Sequence, residues 1–124
     1  LTPILHRIVP FRDKRKSYPK AVRNNYDYLG YKVWPMSAVN EMRKLTNLVK
    51  KELPAVKCPA LIIHSTKDIL SLQSNISLVY DNISSEIKEK FIVHQANHNL
   101  FINNPDQEQI FQKINSFFNQ FQRN

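Results

Sequence analysis

Asp68 and His98 are the residues of this chain best placed to do chemistry together. They are an acid and an imidazole thirty positions apart, each a short step beyond an apolar run. The first run is Cys58-Pro59-Ala60-Leu61-Ile62-Ile63-His64-Ser65-Thr66-Lys67-Asp68, and the second is Phe91-Ile92-Val93-His94-Gln95-Ala96-Asn97-His98. On neighbouring parallel strands, the two side chains would project from the same carboxyl edge, where open α/β sheets bind their ligands. An imidazole held by a carboxylate is part of a nucleophile–base–orienter site: the acid sets the tautomer and the free ring nitrogen takes a proton. The remaining part, a serine on a tight glycine turn, has no counterpart among these 124 residues. Gly30 is the only glycine, where about eight or nine would be usual at roughly 7%. A G-x-S-x-G turn cannot be built from it.

Each of these residues also has a plainer use. An aspartate after a strand often caps the next helix, and a histidine between two asparagines suits a surface loop. It is their joint spacing behind two strand-like runs that favours chemistry. His64 and His94, each ending an apolar run, read as structural histidines with satisfied ring nitrogens. His6 has no informative neighbour. Ser65 lies near the acid but lacks the turn that makes a nucleophile. Cys58 is the only cysteine; its place before a buried-looking strand reads as a small core residue. A lone cysteine also rules out an intrachain disulfide framework and suits a reducing, cytoplasmic setting. No His/Cys/Asp/Glu cluster has metal-ligand spacing and no glycine-rich phosphate loop is present, so no cofactor is expected.

The elements that must position the pair follow from periodicity. Ser37 is expected to cap a helix with Ala38, Met42, Leu45, Leu48 and Val49 on its apolar face, ended by Pro54. Residues 60–64 read as a strand covered on both faces. Ser74 would cap a second helix with Ile76, Val79, Tyr80 and Ile83 in one stripe, and residues 87–93 form the second strand. A last helix would take Asn104 as cap, Pro105 in its first turn and Gln107 reaching back, with Ile110, Phe111, Ile114, Phe117, Phe118 and Phe121 following. Strand–helix–strand is a parallel α/β unit. Two parallel strands are too few for a stable sheet, and an apolar edge left open invites pairing. The sheet is therefore expected to continue in an amino-terminal segment outside this chain or in a second copy of it.

Charge separates the two halves. Residues 1–57 carry thirteen Lys/Arg against four Asp/Glu, while residues 58–124 carry five against six. Residues 1–35 are basic and broken by Pro3, Pro10, Pro19 and Pro35, with no helical or strand period. Their aromatics, Tyr26, Tyr28, Tyr31 and Trp34, could stack on nucleic-acid bases, line a pocket for an acyl chain, or belong to a core. The last two readings are preferred, and no nucleic acid is expected. No stretch approaches the roughly 18 apolar residues of a membrane span. The first residues do not form a signal peptide, and the absence of an initiator Met suggests processing, trimming or a fragment.

The segment Leu61-Ile62-Ile63-His64-Ser65-Thr66-Lys67-Asp68, with Ser74-Asn75 opening a helix through Val79-Tyr80-Asp81-Asn82-Ile83, resembles the acid-bearing part of α/β-hydrolase serine esterases. Carboxylesterases and monoacylglycerol lipases with a small cap are the nearest group. Asn97-His98-Asn99-Leu100-Phe101 then resembles the turn bearing the family's histidine, ahead of its final amphipathic helix. The resemblance covers residues 35–121, and residues 1–35 would fall in the cap. It implies the carboxyl-terminal part of an α/β-hydrolase fold (its last parallel strands with flanking helices over residues 36–124) and part of a cap. It implies His98 as general base and Asp68 as its orienter. Tyr28, Tyr31, Trp34 and Met36 would shape an acyl pocket for a small-molecule ester. The nucleophile and oxyanion hole would lie upstream, leaving this chain inactive alone. Ile69-Leu70 stands where the family often has Val-Pro, and Asn97 where it often has Gly. The rival expectation is a non-catalytic interaction module that dimerises by its sheet edge and binds an acidic partner through its basic half.

Overall fold

The structure, a computed structural model, describes residues 4, 8–14 and 31–122. The chain forms two compact units, Leu1–Val49 and Lys50–Asn124.

In the amino-terminal unit, strands β1 (Phe11–Asp13) and β2 (Val33–Pro35) pair antiparallel, with Arg12 opposite Trp34. This corrects the reading of residues 1–35 as lacking strands. The hairpin is held by the Lys14 N–H donating to the Lys32 carbonyl at 3.0 Å, and the Lys14 ammonium stands 4.6 Å from the Trp34 ring centre. Helix α1 (Met36–Glu52) follows β2 directly. Ser37 is therefore inside its first turn rather than its cap. The hairpin takes over the capping task, because the Met36 N–H donates to the Pro10 carbonyl at 2.9 Å. Lys50 and Lys51 lie at the carboxyl end, where cations favour the helix dipole. Pro54 cannot continue the ladder, and the chain passes into a 3₁₀ turn, Leu53–Ala55. The apolar stripe of α1 has the expected period, yet Met42, Leu45, Leu48 and Val49 are all exposed.

The carboxyl-terminal unit is a parallel α/β layer. Strands β3 (Ala60–Ser65) and β4 (Lys88–Val93) pair in parallel, with Ile63 opposite Phe91 and Ser65 opposite Val93. Helix α2 (Ser74–Asn82) crosses between them and α3 (Gln107–Asn119) ends the described chain. Side-chain alternation sends Ile63, Phe91 and Val93 to one face of the sheet. There they join Ala96, Leu100, Ile110 and Ile114, so α3 covers that face. Lys88 and Lys90 point to the other face, flanking the Tyr80 ring of α2 at 4.9 and 4.2 Å. Lys88 also donates to the Tyr80 and Ile83 carbonyls, satisfying the carboxyl end of α2.

Three local expectations are corrected here. Ser74 is the first residue of α2, not its cap; the helix grows out of a turn in which Leu72 and Gln73 carbonyls accept the Asn75 and Ile76 N–H groups. Asp106, not Asn104, precedes α3, while the Asn104 side chain accepts the Asp106 N–H at 2.9 Å and Gln107 donates to the Phe101 carbonyl at 3.1 Å. Cys58 is exposed rather than part of the core. Among the described residues, no helix is long and apolar enough to cross a membrane.

Candidate functional site

The site is built where the β3–β4 ladder ends. Thr66 makes the last cross-strand bond, donating its N–H to the Val93 carbonyl at 3.0 Å. Beyond it the two chains diverge into loops that carry Asp68 and His98. Packing brings these side chains together: His98 Nδ1 lies 2.9 Å from Asp68 Oδ2. The second oxygen of Asp68 accepts the N–H groups of Leu70 at 2.8 Å and Ser71 at 3.0 Å. The carboxylate is thus gripped from both sides and its side chain is 8% exposed, against 53% for His98.

Electrostatics favour an ionised acid. Burial pushes the Asp68 carboxyl up, but the hydrogen bond from His98, the Ser71 and Leu70 N–H groups and the imidazole's charge outweigh it and hold it below its ordinary value. An ionised carboxylate only accepts, so Nδ1 carries the proton, and in the neutral form of the ring Nε2 holds the lone pair. A half-exposed imidazole in that tautomer can take a proton from a hydroxyl brought to Nε2.

The two departures around the pair have distinct consequences. Asn97 has no positive φ, so its backbone does not require the glycine often found there. Its side chain instead accepts the Asn99 N–H at 2.9 Å and closes the His98 turn. Ile69 and Leu70 are exposed, as are Leu72, Phe101 and Ile102. A shallow cavity of about 180 Å³ beside the imidazole is lined by His98, Asn99, Leu100, Phe101 and Ile102.

The other sequence candidates have separate places. Trp34 and Met36 line a cavity of about 430 Å³ in the amino-terminal unit, with Arg12, Ala38, Val39 and Met42. Tyr31 is 87% exposed and is not part of that lining, and Tyr28 lies outside the described residues. His94 is exposed, 3.4 Å from the Thr66 hydroxyl. His64 is buried, but neither ring nitrogen has a partner among the described residues, contrary to the expectation of a satisfied imidazole. Among the described residues, no group of three His, Cys, Asp or Glu could hold a metal ion.

Sequence reasoning passed over Asp106. Its carboxylate is 2% exposed and accepts the N–H groups of His94, Gln95 and Ala96 at 3.0, 2.6 and 2.8 Å. Burial raises this acid too, but the Gln95 and Ala96 N–H groups, the Gln109 amide and the His94 N–H together hold it below its ordinary value. The only signal in the sequence was an acid next to Pro105, the proline expected in the first turn of the last helix, which reads as an ordinary helix start.

The chain is similar to known proteins in sequence and in fold. The sequence model of the family described as serine aminopeptidase, S33 matches residues 12–106, a span holding both Asp68 and His98. A solved structure from work on LipS and LipT, two metagenome-derived lipolytic enzymes, superposes with a TM-score of 0.65. It is 32% identical over 74% of this chain and 37% of its own length. The monoacylglycerol lipase of Paleococcus ferrophilus superposes with a TM-score of 0.67 over 94% of this chain and 49% of its own, at 20% identity. The chain thus spans less than half the length of either structure. No curated protein matches it.

Proposed function

The chain belongs to the serine aminopeptidase S33 family of α/β hydrolases, and on that premise we propose that it is the carboxyl-terminal part of a serine hydrolase, supplying the acid and the base. The nucleophilic serine and the oxyanion-hole donors come from residues outside these 124. The observation that carries this reading is the 2.9 Å hydrogen bond between Asp68 and His98 at the carboxyl ends of two paired parallel strands.

The mechanism follows from the tautomer. His98 Nε2 accepts the proton of the serine hydroxyl as its oxygen attacks the substrate carbonyl. The resulting imidazolium then protonates the leaving group, and Asp68 stabilises that cation and keeps the ring in place. An acyl-enzyme forms and is cleared by water through the same base. A carboxylic ester with a small or medium acyl group is the proposed substrate class, in line with the lipolytic enzymes that the chain resembles.

Intact-mass analysis of the endogenous protein after fluorophosphonate treatment tests the proposal. A single adduct on a chain roughly twice as long, as expected from the 37% and 49% coverage of the two solved structures, supports it. An unlabelled species of 14.6 kDa would overturn it and favour the interaction module.

A further inference from the structure

Beyond Thr66 no backbone ladder joins the two loops, so the Asp68 and His98 pair needs some other frame. The frame is a chain of buried hydrogen bonds meeting at Ala96, which is 0% exposed. The Ala96 N–H donates to Asp106 Oδ2 at 2.8 Å, and the Ala96 carbonyl accepts the hydroxyl of Ser65. The same Ser65 oxygen accepts the Lys67 N–H at 3.1 Å. Lys67 immediately precedes Asp68, and Ala96 stands two residues before His98. One hydroxyl, 1% exposed, therefore ties the acid's loop to the base's loop, and one carboxylate ties the base's loop to the start of α3.

We propose that Ser65 and Asp106 are positioning residues that set the orientation of the His98 imidazole against Asp68 through the backbone at Ala96. This rests on the reading of Asp68 and His98 as acid and base. The physical case is one of precision and entropy. A catalytic imidazole must be held to within about 0.5 Å and 10–20°. A ring that is 53% exposed has little packing around it to do so. Immobilising it through its own hydrogen bond alone would spend that bond on side-chain entropy. Fixing the backbone on both sides leaves the bond free to select the tautomer. Gathering three N–H groups on one carboxylate oxygen also offsets the cost of burying that charge.

The test reads the tautomer of His98 directly, from the ¹⁵N chemical shifts of its ring in the labelled full-length protein at a pH where the imidazole is neutral. The wild type is expected to show the Nδ1–H form, and Asp68→Asn to lose that preference. Ser65→Ala and Asp106→Asn should move the ring toward the Asp68→Asn value. Ser65→Thr, which keeps the hydroxyl, should stay near the wild type. A wild-type tautomer in Ser65→Ala would overturn the positioning role, whatever Asp106→Asn shows. So would an equal shift in Ser65→Thr. If Asp68→Asn itself leaves the tautomer unchanged, the acid–base reading fails instead, so the two failures are separable. Asp106→Asn disturbs a buried charge and can cost the fold; Ser65→Ala deletes a single oxygen and decides the matter alone.

Discussion

Asp68 and His98 share a hydrogen bond of 2.9 Å across thirty residues of sequence, and the acid is the buried partner while the imidazole is half exposed. That asymmetry suits their chemistry. Asp68 is shielded and gripped by the Leu70 and Ser71 N–H groups, and in the proposed mechanism His98 keeps Nε2 for the serine hydroxyl.

In the proposed full-length hydrolase, Asp68→Asn should lower ester turnover by about 10⁴, because the wrong tautomer is favoured while the geometry survives. His98→Ala should cost on the order of 10⁴ to 10⁶. Initial-rate measurements with a short-chain ester check both. An Asp68→Asn enzyme of near wild-type kcat would remove this aspartate from the mechanism.

Acid should destabilise the carboxyl-terminal unit in a defined window. Both Asp68 and Asp106 are held below their ordinary carboxylate values in the folded chain. In that range the unfolded chain binds more protons than the folded one, so stability rises with pH. The contribution is complete above the unfolded value and is lost as pH falls through the lowered folded values. Thermal melts between pH 2 and 7 should therefore be flat above about pH 5 and fall below about pH 4. Asp106→Asn should flatten part of that slope.

Asn103 has a φ of 45°, in the left-handed region, within the loop between His98 and α3. Asparagine tolerates this conformation and glycine adopts it without strain. Asn103→Gly should leave stability within about 0.5 kcal/mol, whereas Asn103→Val should cost roughly 1–2 kcal/mol. Urea titrations of both variants distinguish the outcomes, and equal midpoints would contradict the strain argument.

Ile110 and Phe118 share α3 but not its energetics. Ile110 is fully buried beneath β4, and Phe118 is 63% exposed. Ile110→Ala should cost about 2–5 kcal/mol. Phe118→Ala should stay within about 0.5 kcal/mol. Denaturant midpoints of the two variants provide the comparison.

Strands β3 and β4, helices α1, α2 and α3, and the spacing of Asp68 and His98 were legible in the chain. They depend on local period: apolar runs that suit a covered strand, stripes at three and four that suit a helix, and the proline that ends α1. The hairpin of β1 and β2 was not legible, since three-residue strands carry no period and pair only through partners 20 to 24 residues away. Helix starts were misplaced for a related reason. Met36 finds its acceptor on Pro10, and the acid before α3 is drawn off to His94, Gln95 and Ala96. The type and rough extent of each long element were thus determined by sequence, because neighbouring residues decide them. Which oxygen meets which N–H was decided only by tertiary structure, because the packing of α3 on the sheet brings together groups ten to twelve residues apart. The same packing hides Ser65 and Asp106 from any reading of the chain in order.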